Sequence, residues 1–204
     1  AYDVCDGDVA IEIDNSAVNL AELGTYHVIY TARDSAGNVA TSDIKLTVMP
    51  ERNEDVSMES MYSLVDRVLA QIITDGMTDY EKAEAIYYWT RGSISFISDS
   101  QKENWVESAY DGILYRKGDC YTYACVAKAM LTRVGIPNID IWRNSTLSSH
   151  YWNLVDTGDG WYHFDATPRA DKTIVFMWSE NQLIADEAVR RSHVYDHSLF
   201  PTVN

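Results

Sequence analysis

The chain has 204 residues, of which 46% are hydrophobic and 23% charged, as in a globular protein with one large domain or two smaller ones. Its formal net charge of −15 argues against a nucleic-acid partner, because such partners select basic surfaces. No stretch approaches the roughly 20 consecutive apolar residues of a membrane-spanning helix, so we expect no membrane insertion.

The first 49 residues predict short strands separated by turns. Residues 9–13 and 44–48 alternate apolar and polar side chains, which is the period of a half-buried strand. Residues 26–32 predict a third strand, and the cluster at 34–38 contains the Gly and Asn of a turn. This pattern favours a small antiparallel β-sandwich over residues 1–49.

Residues 50–56 are polar and charged, which predicts a linker, and helical periodicity begins after them. Apolar residues recur at helical spacing over 61–73. A capping box formed by Thr78 and Glu81 predicts a second helix that ends near Gly92. Residues 93–118 are less regular.

The remaining elements predict an α+β domain over residues 57–204. A third helix is expected at 120–134, followed by strands at 139–143, 151–156 and 161–166. The last two strands are joined by Thr157-Gly158-Asp159-Gly160, which is a strong hairpin signal.

Cys120 is the first candidate for catalysis. It follows Gly118-Asp119 at the predicted start of a helix, where free backbone amides and the helix dipole favour a thiolate. A backbone amide at that end is also a candidate donor to an oxyanion. The alternative is a buried structural thiol.

His150 and Asp165 are the candidate base and its orienting carboxylate. His150 opens one strand and Asp165 closes its hairpin partner, so antiparallel pairing brings the two side chains close together. His163 is the rival base. It lies two positions from Asp165 along the same strand, which is too far for Asp165 to orient its ring well. His193 and His197 have a spacing that suits a metal but lack Cys partners or a zinc-helix signature, so we expect them to end the fold without binding metal.

Three cysteines do not make a disulfide scaffold. Cys125 is expected to be a buried thiol facing away from Cys120. The sequence does not decide whether Cys5 and Cys125 form a disulfide.

Three sequence motifs, in this chain order, resemble the transglutaminase-like superfamily. The papain-like core of that superfamily uses Cys, His and Asp in the same order along the chain. The three motifs are Lys117-Gly118-Asp119-Cys120, His150-Tyr151-Trp152-Asn153, and Trp161-Tyr162-His163-Phe164-Asp165-Ala166-Thr167-Pro168. The resemblance implies a Cys-bearing helix packed on an antiparallel sheet that carries His and Asp. It implies Cys120 as nucleophile, His150 as base and Asp165 as its orienter. It also implies an upstream side chain near the oxyanion, for which Trp105 and Tyr110 are both candidates.

Residues 1–49 resemble bacterial immunoglobulin-like repeats through Gly24-Thr25-Tyr26, the 34–38 turn and the strand at 44–48. Such domains are longer, which leaves open that their first strand or strands are absent here. Together the two resemblances imply a Gram-positive extracellular or cell-surface protein.

The resulting leading hypothesis is a thiol acyl-transfer enzyme that acts on protein or peptide amides through a thioester. The alternatives are a cysteine peptidase or cell-wall peptide hydrolase, and a surface-binding module without catalysis. No EF-hand loop is present in the sequence, so we expect no required metal and no cofactor.

Overall fold

The structure is a computed structural model that describes residues 1–22, 24–48, 55–98, 102–144 and 149–204. The chain divides into two compact units, Ala1–Arg52 and Asn53–Asn204. Positions 50–54 of the expected linker lie outside the described residues. Val56, at the end of that expected linker, packs against the hydrophobic core of the second unit.

The first unit is built from antiparallel strands. Its strands are β1 (Tyr2–Asp3), β2 (Gly7–Asp8), β3 (Ile11–Asp14), β4 (Gly24–Arg33) and β5 (Val39–Val48). They form one two-stranded sheet, β1-β2, and one three-stranded sheet, β3-β4-β5. Within the described part of this unit, Val28 is the one apolar side chain that is buried. The three predicted strands are present, and an immunoglobulin-like sandwich over residues 1–49 stays a prediction.

The second unit contains five α-helices among its described residues. They are α1 (Met58–Ile72), α2 (Asp79–Ser93), α3 (Trp105–Tyr115), α4 (Cys120–Arg133) and α5 (Glu180–Arg190). The predicted capping box at the start of α2 is confirmed, since Thr78 and Glu81 each bond the other's backbone amide. Helices α3 and α5 were not predicted.

The strands of the second unit form a short parallel pair and a larger sheet. Their bounds are β6 (Ser95–Phe96), β7 (Lys117–Gly118), β8 (Asn138–Trp142), β9 (Tyr151–Asp156), β10 (Trp161–Asp165) and β11 (Val175–Trp178). The larger sheet is antiparallel throughout in the order β11-β10-β9-β8. The predicted hairpin between β9 and β10 is confirmed by the pairing of Trp161 with Asp156.

Apolar side chains cover both faces of this sheet. Val155 and Phe164 join the core formed with α1 to α4. Trp152 and Leu154, which alternate with them, join a second cluster that includes Leu183 of α5. Helix α4 is therefore buried among the other helices and the sheet, and its N-terminal end lies near the start of β9. The second unit has the α+β architecture expected from the sequence, with the Cys-bearing helix packed on the antiparallel sheet.

Candidate active site

Cys120 is the first residue of α4 and is largely buried. Asp119 is the N-cap, and its Oδ1 accepts the backbone N–H groups of Tyr121 at 2.9 Å and Thr122 at 3.4 Å. The Cys120 amide is thus a first-turn donor that this cap does not use. The Cys120 thiol donates to the Ser149 carbonyl oxygen at 3.8 Å, which places the sulfur beside the residue preceding His150.

The side chains of His150 and Asp165 meet, although His150 lies one residue before β9 and the pairing of β9 with β10 ends at Asn153 and Phe164. Nε2 of His150 lies 2.9 Å from Oδ2 of Asp165. Because Nε2 faces the carboxylate, Nδ1 is the ring nitrogen left for Cys120. The His150 ring also stacks on Trp152, with centroids 5.6 Å apart and planes 24° from parallel. The carboxylate and the indole together fix the orientation of the imidazole.

Cys120, His150 and Asp165 line one cavity of about 250 Å³. Phe96, Arg143 and Arg169 are among its other lining residues. Arg91 of α2 donates to the carbonyl oxygens of Thr167 at 2.8 Å and Thr173 at 3.1 Å, which holds the segment that follows Asp165. The sequence-predicted triad therefore lies at one cavity between the start of α4 and the sheet.

The charges of the site favour an imidazolium at His150. Burial alone would lower the pKa of His150, but the Asp165 carboxylate and the hydrogen-bonded Cys120 sulfur outweigh it and raise that pKa to about 9. Burial would likewise raise the pKa of Asp165, and the two histidines beside it, His150 and His193, hold it well below its usual range. The arrangement stabilises a buried carboxylate paired with a cationic imidazole.

His193 is the residue at this site that the sequence interpretation missed. It was expected only to end the fold, whereas its fully buried Nε2 lies 3.0 Å from the same Asp165 Oδ2 that His150 contacts. Asp165 Oδ1 accepts the backbone N–H of Thr167 at 2.9 Å. No strand alternation marks His193, because it follows α5 in a segment without regular structure.

His163, the rival base, has other partners. Its Nδ1 accepts the indole N–H of Trp152 at 3.2 Å, and its Nε2 faces Glu180 Oε2 at 3.1 Å. Tyr195 donates to the same Glu180 oxygen at 2.6 Å. His163 is thus part of a buried network on the α5 side of the sheet, and this network favours His150 over it as the base.

Trp105 and Tyr110, the two candidates for an oxyanion side chain, both lie on α3. Tyr110 is buried in the helical core, and Trp105 packs against that core with Lys128 Nζ 4.6 Å from its ring centroid. Neither is among the described residues that line the 250 Å³ cavity. Both side chains therefore contact the helical core, and a role for either of them at the oxyanion stays a prediction.

His150, Asp165 and His193 also satisfy the spacing of a metal-binding group, as do Asp186, Glu187 and His193. Hydrogen bonds account for the first group, because both imidazole Nε2 atoms point at one carboxylate oxygen. In the second group, Asp186 is paired with Arg169 and Arg190, and Glu187 accepts the His193 backbone N–H. Ion pairs and hydrogen bonds thus explain both clusters.

All three cysteines are free thiols. Cys5 is exposed. Cys125 is buried in the core, as expected, and burial raises the pKa of its thiol far above the usual range. The three thiols thus lie in different environments, and Cys120 is the one placed beside a histidine.

Residues 66–166, just under half of the chain, match the family model of the transglutaminase-like superfamily. The matched region contains Cys120, His150 and Asp165 and ends before His193.

Several solved structures are similar at low identity, among them the following three. A candidate cysteine protease from Cytophaga hutchinsonii is 16% identical with a TM-score of 0.45, and the aligned region covers 83% of this chain and 69% of the protease chain. A TGase is 14% identical with a TM-score of 0.41, and the aligned region covers 63% of this chain and 35% of the TGase chain. The arylamine N-acetyltransferase from Mycobacterium abscessus is 17% identical with a TM-score of 0.36, and the aligned region covers 58% of this chain and 47% of the acetyltransferase chain. This chain thus spans about two thirds of the first structure and less than half of the other two.

Among the described residues, no helix has both the length and the apolar character that crossing a bilayer requires.

Proposed function

We propose that this chain is a transglutaminase-like enzyme that transfers acyl groups through a covalent thioester on Cys120. The observation that carries the proposal is the contact series from the Cys120 sulfur to His150 and from His150 Nε2 to Asp165 at 2.9 Å, at a cavity large enough for a small acyl group. A thiol beside a base that is itself oriented by a third group is the arrangement that nucleophilic catalysis requires.

In the proposed reaction, the Cys120 proton moves to His150 Nδ1 to form a thiolate–imidazolium pair, and the thiolate sulfur attacks a carboxamide or peptide carbonyl carbon. The tetrahedral intermediate collapses as the C–N bond breaks, and His150 returns the proton to the leaving amine. A thioester remains on Cys120. A second amine then forms a new amide, or water forms a carboxylic acid, and the thiol is regenerated. The Cys120 amide at the start of α4 is the proposed oxyanion donor.

Transfer and hydrolysis share every step up to the thioester. The same triad therefore supports a cysteine peptidase or cell-wall peptide hydrolase as the alternative, and the acceptor that reaches the thioester decides between them. Protein or peptide amides are the proposed substrates for either reaction. Product analysis distinguishes them, because incorporation of an added amine indicates transfer and cleavage alone indicates hydrolysis.

Acylation of Cys120 tests the proposal without knowledge of the natural substrate. We would incubate the Cys5→Ser variant, which removes the exposed thiol, with p-nitrophenyl acetate and follow intact mass. We expect one acetyl adduct on Cys120, removed by hydroxylamine and absent from Cys5→Ser/Cys120→Ala. Cys5→Ser/Cys125→Ala is the matched control and keeps the adduct, because Cys125 lies in the core. An adduct that survives in the Cys120→Ala variant, or no adduct at all, contradicts the proposal and favours a binding module.

We further propose an extracellular or cell-surface location, supported by the resemblance of residues 1–49 to bacterial immunoglobulin-like repeats. Fractionation of the source cells tests it, and recovery in the cytosolic fraction alone would contradict it.

A further inference from the structure

Asp165 is a buried carboxylate whose Oδ2 is shared by two imidazoles. Nε2 of His150 lies at 2.9 Å and Nε2 of His193 at 3.0 Å. The two rings are nearly perpendicular, at 84°, with centroids 5.0 Å apart. A base at this position needs only one carboxylate contact, so the second histidine requires an explanation.

Hydrogen bonds fix the direction in which His193 donates. Arg169 has only donors, and its Nη2 bonds to Ser192 Oγ, so this hydroxyl oxygen accepts from the guanidinium. The single hydroxyl proton of Ser192 is then directed at His193 Nδ1, 2.9 Å away, in preference to Asp186 Oδ2 at 3.4 Å. Nδ1 therefore accepts, and Nε2 carries the proton that is donated to Asp165.

The groups around His193 keep it uncharged. Asp165 and His150 face it from the sheet, Asp186 and Glu187 face it from α5, and Arg169 lies in the segment between β10 and β11. Burial lowers the pKa of His193, the nearby cations His150 and Arg169 lower it further, and Asp165 opposes them without reversing the shift. The pKa values of the two histidines on one carboxylate thus shift in opposite directions, upward for His150 and downward for His193.

We propose that His193 is a positioning residue, which holds Asp165 Oδ2 at the place where that oxygen orients His150. The Thr167 N–H bonds the other carboxylate oxygen, Oδ1, so both oxygens of Asp165 are held. The series Arg169–Ser192–His193–Asp165–His150 then connects a guanidinium at the cavity to the base. This inference rests on the proposed function, because His150 matters only if it activates Cys120.

The rate of Cys120 alkylation by iodoacetamide against pH, read by mass spectrometry in the Cys5→Ser background, tests the inference. His193→Leu removes the N–H that donates to Asp165. We expect the pH below which alkylation slows to rise by about one unit. A hydrogen bond to a charged group changes an equilibrium on the order of tenfold, which corresponds to about one pH unit. The turnover rate with p-nitrophenyl acetate should fall about tenfold with KM little changed. His193→Gln, which retains an N–H at the position of Nε2, should restore most of both.

His163→Gln is the matched control. His163 is equally buried on the same side of the sheet but bonds to Glu180 and Trp152. The Gln amide keeps an acceptor for the indole N–H of Trp152, which stacks on His150. This variant should leave the alkylation profile in place even where it lowers the melting temperature, which separates positioning from general destabilisation.

If His193→Leu does not fold, Ser192→Ala replaces it. This variant removes the proton that holds the His193 tautomer, and we expect a shift of the same sign and smaller size. In whichever variant folds, an unchanged profile overturns the inference. So does a shift to lower pH, because His193 would then compete with His150 for the carboxylate. If Cys120 of the wild type is alkylated with the pH profile of an ordinary thiol, both the inference and the proposed function are overturned. If Cys120 of the wild type is reactive and the variant has the same profile, the inference alone is overturned.

Discussion

Asp165 is the residue on which the charges of the candidate site depend. Its carboxylate and the Cys120 sulfur outweigh burial and raise the pKa of His150 to about 9. A histidine whose pKa is raised on folding contributes stability that is fully present below its unfolded value of about 6.5. That contribution is lost as pH rises through about 9.

We predict that Asp165→Asn lowers the pKa of His150, because the amide keeps the shape of the side chain and removes its charge. NMR titration of the His150 ring protons measures this. Turnover should fall by about 10⁴-fold, the order seen when the carboxylate of a triad is replaced by its amide. The loss of unfolding free energy between pH 6.5 and 9 should also become smaller in the variant. An unchanged His150 titration would contradict this account.

The sequence was sufficient to predict that Cys120, His150 and Asp165 lie together, since each belongs to a local motif and a hairpin joins the last two. It was not sufficient for His193, whose contact with Asp165 spans 28 positions and depends on where α5 directs the chain after it. Long-range placement of a side chain in an irregular segment leaves no periodic signal.

At the scale of elements, the close approach of α3 to α4 positions the nucleophile. A Cβ on Gly112 of α3 would lie 2.5 Å from Thr122 Cγ2 and 2.8 Å from Val126 Cγ2 of α4. A Cβ on Gly118 would lie 2.3 Å from Thr122 Cβ. Thr122 is two residues after Cys120, so added volume at either glycine displaces the first turn that carries the thiol.

We predict that Gly112→Ala lowers the free energy of unfolding by roughly 1–3 kcal/mol, the usual cost of overpacking, and slows Cys120 acylation. Gly92→Ala is the control. Gly92 is also helical, in α2, but a Cβ there meets nothing within 4 Å, so the change should stabilise by up to about 1 kcal/mol. Urea titrations of both variants measure the difference, and equal effects of the two substitutions would show that the helix contact is not tight.

Helices α3 and α5 carried signals that the sequence interpretation did not use. In α3, Val106, Ala109, Tyr110 and Ile113 recur at helical spacing after the N-cap Asn104, but Gly112 interrupts the pattern. In α5, Ser179 and Gln182 form a capping box. The two-residue strands β6 and β7 are too short for any periodicity, and only the fold defines them.

At the scale of the whole molecule, the two units differ in how much apolar surface they bury. The unit Asn53–Asn204 has large clusters on both faces of its sheet and contains the complete candidate site. In the described part of Ala1–Arg52, Ile11, Ile13 and Ile44 are half exposed and Val28 alone is buried. The alternation of apolar and polar residues predicted the strands of this unit correctly. This pattern shows only that one face of a strand is apolar, and it does not show whether a second sheet covers that face.

The proposed reaction depends on a working pair of Cys120 and His150, and alkylation of Cys120 against pH tests this pair most directly. Mass spectrometry of the wild type should show rapid labelling well below the free-thiol pKa of about 8.5, and His150→Ala should slow it. Slow labelling in both proteins, with the profile of an ordinary thiol, would contradict the account and leave a binding module as the better explanation of the fold.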